Sequence, residues 1–219
     1  MFAPDCIDPS IKPLQIHHIV SDALEWCTTH HTNYAIVCEG ERWRGVLTEE
    51  ILFDLDEFKK LKELEALFLP YHLSEHSHIF DVLKSTQLYH TFVLPVISDG
   101  QDLKGITSAS SILQAWSKDA HFAGAGGILI LELSPKDYAL SEISKIVESN
   151  NASILHSMIS AAPNKEKIRV SLKINKNDLK DIQLTFERFN YEVVAVIHQS
   201  EYEQELQDRL DSLMKYLEV

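Results

Sequence analysis

With 219 residues, 45% of them hydrophobic and 24% charged, the chain sits in the ordinary range of globular proteins, which excludes disordered, collagenous and fibrous classes. Twenty Lys and Arg against 33 Asp and Glu give a net charge of −13, a field that repels nucleic-acid phosphates and anionic membrane faces, so neither is expected as a partner. Cys6, Cys27 and Cys38 cannot all pair within one chain, the start Met1-Phe-Ala-Pro-Asp has no basic or apolar leader, and no apolar run approaches the roughly 18 residues that span a bilayer; a reducing, cytoplasmic location is expected.

The first half of the chain is a tandem repeat. Asp22-Ala-Leu…His31-Thr32…Ala35-Ile-Val…Gly45-Val-Leu-Thr48-Glu-Glu-Ile51-Leu is echoed by Asp81-Val-Leu…His90-Thr91…Leu94-Pro-Val-Ile…Gly105-Ile-Thr-Ser108-Ala-Ser-Ser111-Ile. The offset is 59 residues before the turn and 60 after it, so the second copy carries one extra residue near Asp99-Gly100. Each copy reads as helix, strand, turn, strand, helix, with helix-period apolar residues (Ala23, Leu24, Cys27; Val82, Leu83, Leu88) leading into two short apolar runs. Gly40 and Asp99-Gly100 are expected to supply the turns. Between the copies, Asp56 to Leu69 is charged and Leu-rich at helical spacing, and Pro70 should stop it. These boundaries define a first domain over 1–120, with repeat 1 at about 14–69 and repeat 2 at about 70–120.

Ala123-Gly124-Ala125-Gly126-Gly127 predicts a flexible Gly-rich linker over 121–127. Over 128–199 the periodicity predicts strand (Ile128 to Leu133), helix (Ala139 to Glu148), strand (Ile154 to Ser160), strand (Ile168 to Ile174), helix (Leu179 to Phe189) and strand (Val193 to Ile197). That βαββαβ order is the ferredoxin-like motif, so the fold class is α+β. Residues 200–219 predict an acidic amphipathic helix with Leu206, Leu210, Leu213 and Leu217 on one stripe.

Leu94-Pro95-Val96, Gly45…Thr48 and Gly105…Ser108 make the repeat resemble a pair of CBS domains, and the βαββαβ tail resembles an ACT domain. The order is similar to that of acetoin-utilisation-type bacterial regulatory proteins. The resemblance implies a non-enzymatic regulatory module, with adenosine-type ligands (AMP, ATP or S-adenosylmethionine) in clefts between the repeats and amino acids or dimerisation at the ACT part. It assigns Thr48, Ser108 and Ser111 as candidate ligand residues: hydroxyl and backbone amides meet phosphate at a helix N-terminus, and an Asp three residues on accepts the ribose hydroxyls. Here that Asp position holds Ile51 in the first copy and Ser111 in the second, so the cleft reads as degenerate and any nucleotide affinity is expected on the Ser108/Ser111 side. In the ACT-like part, Tyr138 stands near an expected Gly, which favours dimerisation over amino-acid sensing.

His72, His76 and His78, with Glu75, form the weak metal candidate, since imidazole and carboxylate bind zinc or nickel. Nucleophile elbows, His-Glu-x-x-His pairs and Walker-type lysines are absent, so no catalytic residue is assigned. The expected protein is a homodimeric regulator or scaffold acting on an unidentified partner protein, with a nucleotide sensor as the alternative.

Overall fold

The computed structural model describes residues 1–119 and 125–198. The chain divides into two compact units, Met1–Asp119 and Ala120–Val219. The helix expected over 200–219 and residues 121–124 of the expected linker lie outside the described residues.

In the first unit the repeat is visible as two sheets of identical topology. Copy one comprises β1 (Leu14–Gln15), α1 (Val20–His30), β2 (Tyr34–Glu39), β3 (Arg42–Thr48) and α2 (Glu49–Phe53); copy two comprises β4 (Leu73–Ser74), α3 (Ile79–Tyr89), β5 (Pro95–Ile97), β6 (Leu103–Ile106) and α4 (Ala109–Asp119). Each sheet sets a short parallel strand beside an antiparallel pair, in the order β1-β2-β3 and β4-β5-β6. Even the irregularities repeat: Val37 opposes Gly45 and the register then slips, and Val96 opposes Gly105 before the same slip.

The echoed residues have mechanical reasons. Asp22 and Asp81 each accept a hydrogen bond from the backbone amide just before their helix, Ile19 N at 3.0 Å and His78 N at 3.1 Å, satisfying donors that a helix start leaves orphaned. His31 and His90 end the helices in the left-handed region at φ 50° and 52°. Thr32 and Thr91 then meet, both buried, with hydroxyls 2.9 Å apart. Two expectations differ from the structure. The second hairpin turns on Gln101 (φ 67°), not on Gly100, because the extra residue shifts the left-handed position by one; Gly40 (φ 63°) turns the first as expected. Of the segment Asp56 to Leu69, only Leu61–Leu67 is helical, as a 3-10 helix that buries Leu61 and Leu64; charged Lys and Glu on the remaining sides stay outside.

Each copy contributes to a common core, in which Ile36, Leu47, Leu52 and Leu61 pack with Val93, Ile97 and Ile106. A second cluster joins Leu73, Val82, Leu94, Val96 and Ile112 to Ala3 and Cys6, so the N-terminal segment, a 3-10 turn over Ala3–Cys6, is part of the second copy's interior.

The second unit holds β7 (Gly127–Leu133), α5 (Leu140–Ser149), β8 (Ile154–Ala161), β9 (Ile168–Ile174), α6 (Lys180–Arg188) and β10 (Glu192–Ile197). The antiparallel sheet runs β10-β7-β9-β8, the order expected for a ferredoxin-like βαββαβ unit. Alternate residues Leu129, Leu131, Leu133, Val170, Leu172 and Ile174 turn to one face and pack with Ile143, Val147, Ile182 and Phe186 of the two helices. Gly126 and Gly127, expected in the flexible linker, are buried instead. Gly127 opens β7, and Gly126 (φ 147°) lies so close to Ile174 that a Cβ would collide with its carbonyl oxygen. Glycine is present there for close packing rather than for flexibility. Among the described residues no helix is long and apolar enough to cross a membrane.

Candidate functional site

The second copy's candidate residues lie at the start of α4. Ser108 Oγ accepts from Ser111 N at 3.1 Å, and Ser111 Oγ accepts from Ser108 N at 2.9 Å. This reciprocal pair is a capping box in which Ser111 takes the place usually held by Glu or Gln. Both hydroxyl protons are also spent: Ser111 Oγ donates to the Cys6 carbonyl at 2.6 Å, and Ser108 Oγ donates to Asp8 Oδ2 at 2.6 Å. The two serines therefore come together as expected, but their hydrogen bonds are made inside the chain.

Asp8 was not among the residues singled out from sequence, and it is the charged group bonded to the Ser108 hydroxyl. Its other oxygen accepts from Ser10 N at 3.0 Å and Ser10 Oγ at 2.6 Å. The Ser10 hydroxyl first, then the Ser108 hydroxyl and the Ser10 amide, hold the Asp8 carboxyl below the usual carboxylate range. The segment carrying Asp8 is held in place by Asp8 N donating to Ile106 O at 2.8 Å and by Ile7 lying over Gly105, where a Cβ would come within 2.5 Å of the Ile7 side chain. Hence Gly105 serves close approach of the N-terminal segment. Beside it opens a cavity of about 470 Å³ whose lining includes Asp5, Ile7, Ser111, Gln114 and Lys118.

In the first copy Thr48 Oγ1 accepts from Ile51 N at 3.2 Å, so Thr48 is the N-cap of α2, and Ile51 cannot reciprocate. Gly45 is covered by Phe68, whose Cβ lies 2.7 Å from where a Gly45 Cβ would stand. A cavity of about 410 Å³ lies beside Thr48, bounded by Asn33, Tyr34, Glu49, Glu50 and Phe53. Tyr34 packs edge-on against Tyr71, which stacks on Tyr89 at 4.4 Å; burial, with Tyr71 and Tyr89 nearby, raises the Tyr34 pKa.

The histidine candidates separate. His72 Nδ1 bonds Pro70 O and its ring lies against Trp43, while His78 Nδ1 accepts from Phe80 N at the start of α3. Only His76 keeps acidic company, with Nε2 at 3.3 Å from Asp99 Oδ2, and Glu75 close by. The alternation of a short strand and a helix start gives His72, His76 and His78 different partners, and the weak candidate trio is not brought together. The thiols are all free and buried, and burial pushes Cys27 and Cys38 up to about 12, far from a reactive thiolate.

In the second unit, the loop after β7 carries Tyr138 packed against the hydrophobic core, as its bulk suggested. Next to that loop Glu132 is flanked by Arg169 (3.0 Å) and Lys167 (3.8 Å), and Lys167 reaches Glu192 at 2.6 Å, so the charges lining this end are paired with one another.

No protein-family model matches the chain, and no curated protein matches it. Solved structures similar to it include a CBS domain pair/ACT domain protein from Thermotoga maritima, 24% identical, covering 54% of this chain and 98% of that one with a TM-score of 0.46. Others are CBSX2 in complex with AMP (19% identical, 53% of this chain and 96% of that one, TM-score 0.41) and the cytosolic domain of the Mg2+ channel MgtE in complex with ATP (21%, 52% and 48%, 0.41).

Proposed function

We propose that this protein is a non-catalytic regulatory module in which the repeat pair is a structural platform with a degenerate ligand cleft. The observation that carries the reading is the internal use of every candidate hydroxyl: Thr48 caps α2, Ser108 is bonded to Asp8 and Ser111 to Cys6. A nucleotide arriving at α4 would have to displace contacts that already satisfy these groups, and a buried polar group left unpaired costs about 1–3 kcal/mol. The sequence resemblance to CBS and ACT regulators supports the same class, and so does the unreactive state of the three buried thiols. The platform works in the cytoplasm, and the protein it regulates is recognised through surfaces rather than through a shared small-molecule site.

We assign self-association to the second unit. β8 is an edge strand of eight residues with no Pro, Lys, Arg, Asp or Glu, and its Met158 and Ile159 are half exposed. Among the described residues no strand pairs with this edge; strand edges are ordinarily charged, short or covered, and a second copy would cover this one.

The alternative is a sensor of an adenosine-type ligand, and one observation favours it on the opposite side from the serines: the first-copy cavity is free of the N-terminal segment's contacts and has the aromatic Tyr34 and Phe53 at its wall. A thermal-shift series with AMP, ATP, S-adenosylmethionine and amino acids separates the two readings, because a native-state ligand raises the midpoint by mass action. No shift across the series is the platform's expected result. A saturable shift with any adenosine compound at micromolar concentration replaces it with the sensor.

A further inference from the structure

We propose that Asp8 determines what the second copy's cleft refuses: its carboxylate occupies the N-terminus of α4 as an internal anion and closes that position to phosphorylated ligands. The proposal rests on the platform reading and deepens it, since it names the group that makes the cleft degenerate. The helix start is a place where negative charge is favoured, by the orientation of its free amides and its dipole. In this chain a carboxylate already stands there, bonded to the capping hydroxyl of Ser108. Asp8 accepts from Ser108 at one oxygen and from Ser10 twice at the other, so the carboxylate is oriented rather than adrift.

Its backbone is fixed as well. Asp8 N is bonded to Ile106 O, Ile7 pairs with Thr107 as an isolated bridge, and Ile7 fills the space that Gly105 leaves open. A phosphate approaching Ser108 would need the hydroxyl proton that Asp8 holds, and would bring its own negative charge against an ionised carboxylate. Ser111 offers no substitute contact, because its proton is committed to the Cys6 carbonyl. The first copy lacks this device: the residue that covers its glycine is Phe68, and the hydroxyl of Thr48 caps α2 without a carboxylate bonded to it. The two helix starts thus differ by a carboxylate, delivered from outside the repeat, on the capping hydroxyl.

Adenosine and AMP, which differ by one phosphate, test this by isothermal titration on the full chain, on Asp8→Asn and on Asp8→Ser, with circular dichroism and thermal midpoints to confirm that each variant is folded. In the wild type AMP is expected to bind no better than adenosine. In both variants the affinity for AMP relative to adenosine is expected to rise at least tenfold, and adding Ser108→Ala to Asp8→Asn should cancel that gain. Folded variants in which the ratio stays unchanged, or in which neither compound gives heat, overturn the role of Asp8 and leave the platform reading standing. A wild type that already prefers AMP overturns both.

Discussion

Asp8 and the threonine pair show how a few polar groups organise the first unit. Thr32 and Thr91, related by the repeat offset, satisfy one another in a largely apolar interior, and Thr91 Oγ1 also accepts from Val93 N. Asp8 acts nearer the surface, and its consequence is a pH dependence. Its carboxyl is lowered in the folded chain by Ser10 and Ser108, so on acidification the unfolded chain takes up the proton first. The stability it contributes is complete above the unfolded carboxyl's pKa of about 3.9 and is lost as pH falls through the lower folded value. Asp8→Asn should therefore weaken the protein near neutral pH, and its effect should shrink as pH falls from the unfolded carboxyl's range through the lower folded value; urea midpoints at neutral and strongly acidic pH read this directly. Equal losses at both would show that the hydrogen bonds to Asp8 are not charge-assisted.

At the scale of elements, backbone demand explains more than side-chain preference. Gly126 is the sharpest case: its φ of 147° and its approach to Ile174 leave no room for a methyl group. Gly126→Ala should cost about 1–3 kcal/mol of second-unit stability, the usual range for overpacking, and lower the urea midpoint accordingly. A midpoint within error of the wild type would mean that β7 and β9 tolerate separation there. The repeat was legible because its signals are local and duplicated: Asp22 and Asp81 cap helices, His31 and His90 end them, and Gly45 and Gly105 sit at matching registers. The ferredoxin-like order was legible from alternation in segments such as Ile168 to Ile174. What escaped was short or distant. β1 and β4 are two residues each, too brief for any period, and Asp8 meets its partner 100 residues away. The histidine trio was a weak candidate from the start, because close spacing in sequence says nothing of direction where strand and helix alternate.

At the scale of the whole molecule, charge is unevenly shared. Residues 1–119 carry nine Lys and Arg against eighteen Asp and Glu, whereas residues 120–219 carry eleven against fifteen. The proposed self-association therefore falls on the less charged unit, where repulsion between copies is smaller. Placing one positive charge on its edge should break it: Ile159→Lys, at a half-exposed position, is expected to move sedimentation from dimer to monomer at micromolar concentration without loss of secondary structure. A wild-type monomer, or a variant of unchanged mass, removes the β8 edge from the assembly. The bond from Ser111 to Cys6 also spans 105 residues, and this has a consequence for biosynthesis. Ala3 to Asp8 leave the ribosome well before the strands and helix that bury them; at about 5–20 residues per second the interval is on the order of 5–20 s. Through that interval Cys6 and the apolar residues around it have no interior to enter, and the second copy cannot close over its own glycine until they return. The earliest-made residues of the first unit are thus among the last to find their place.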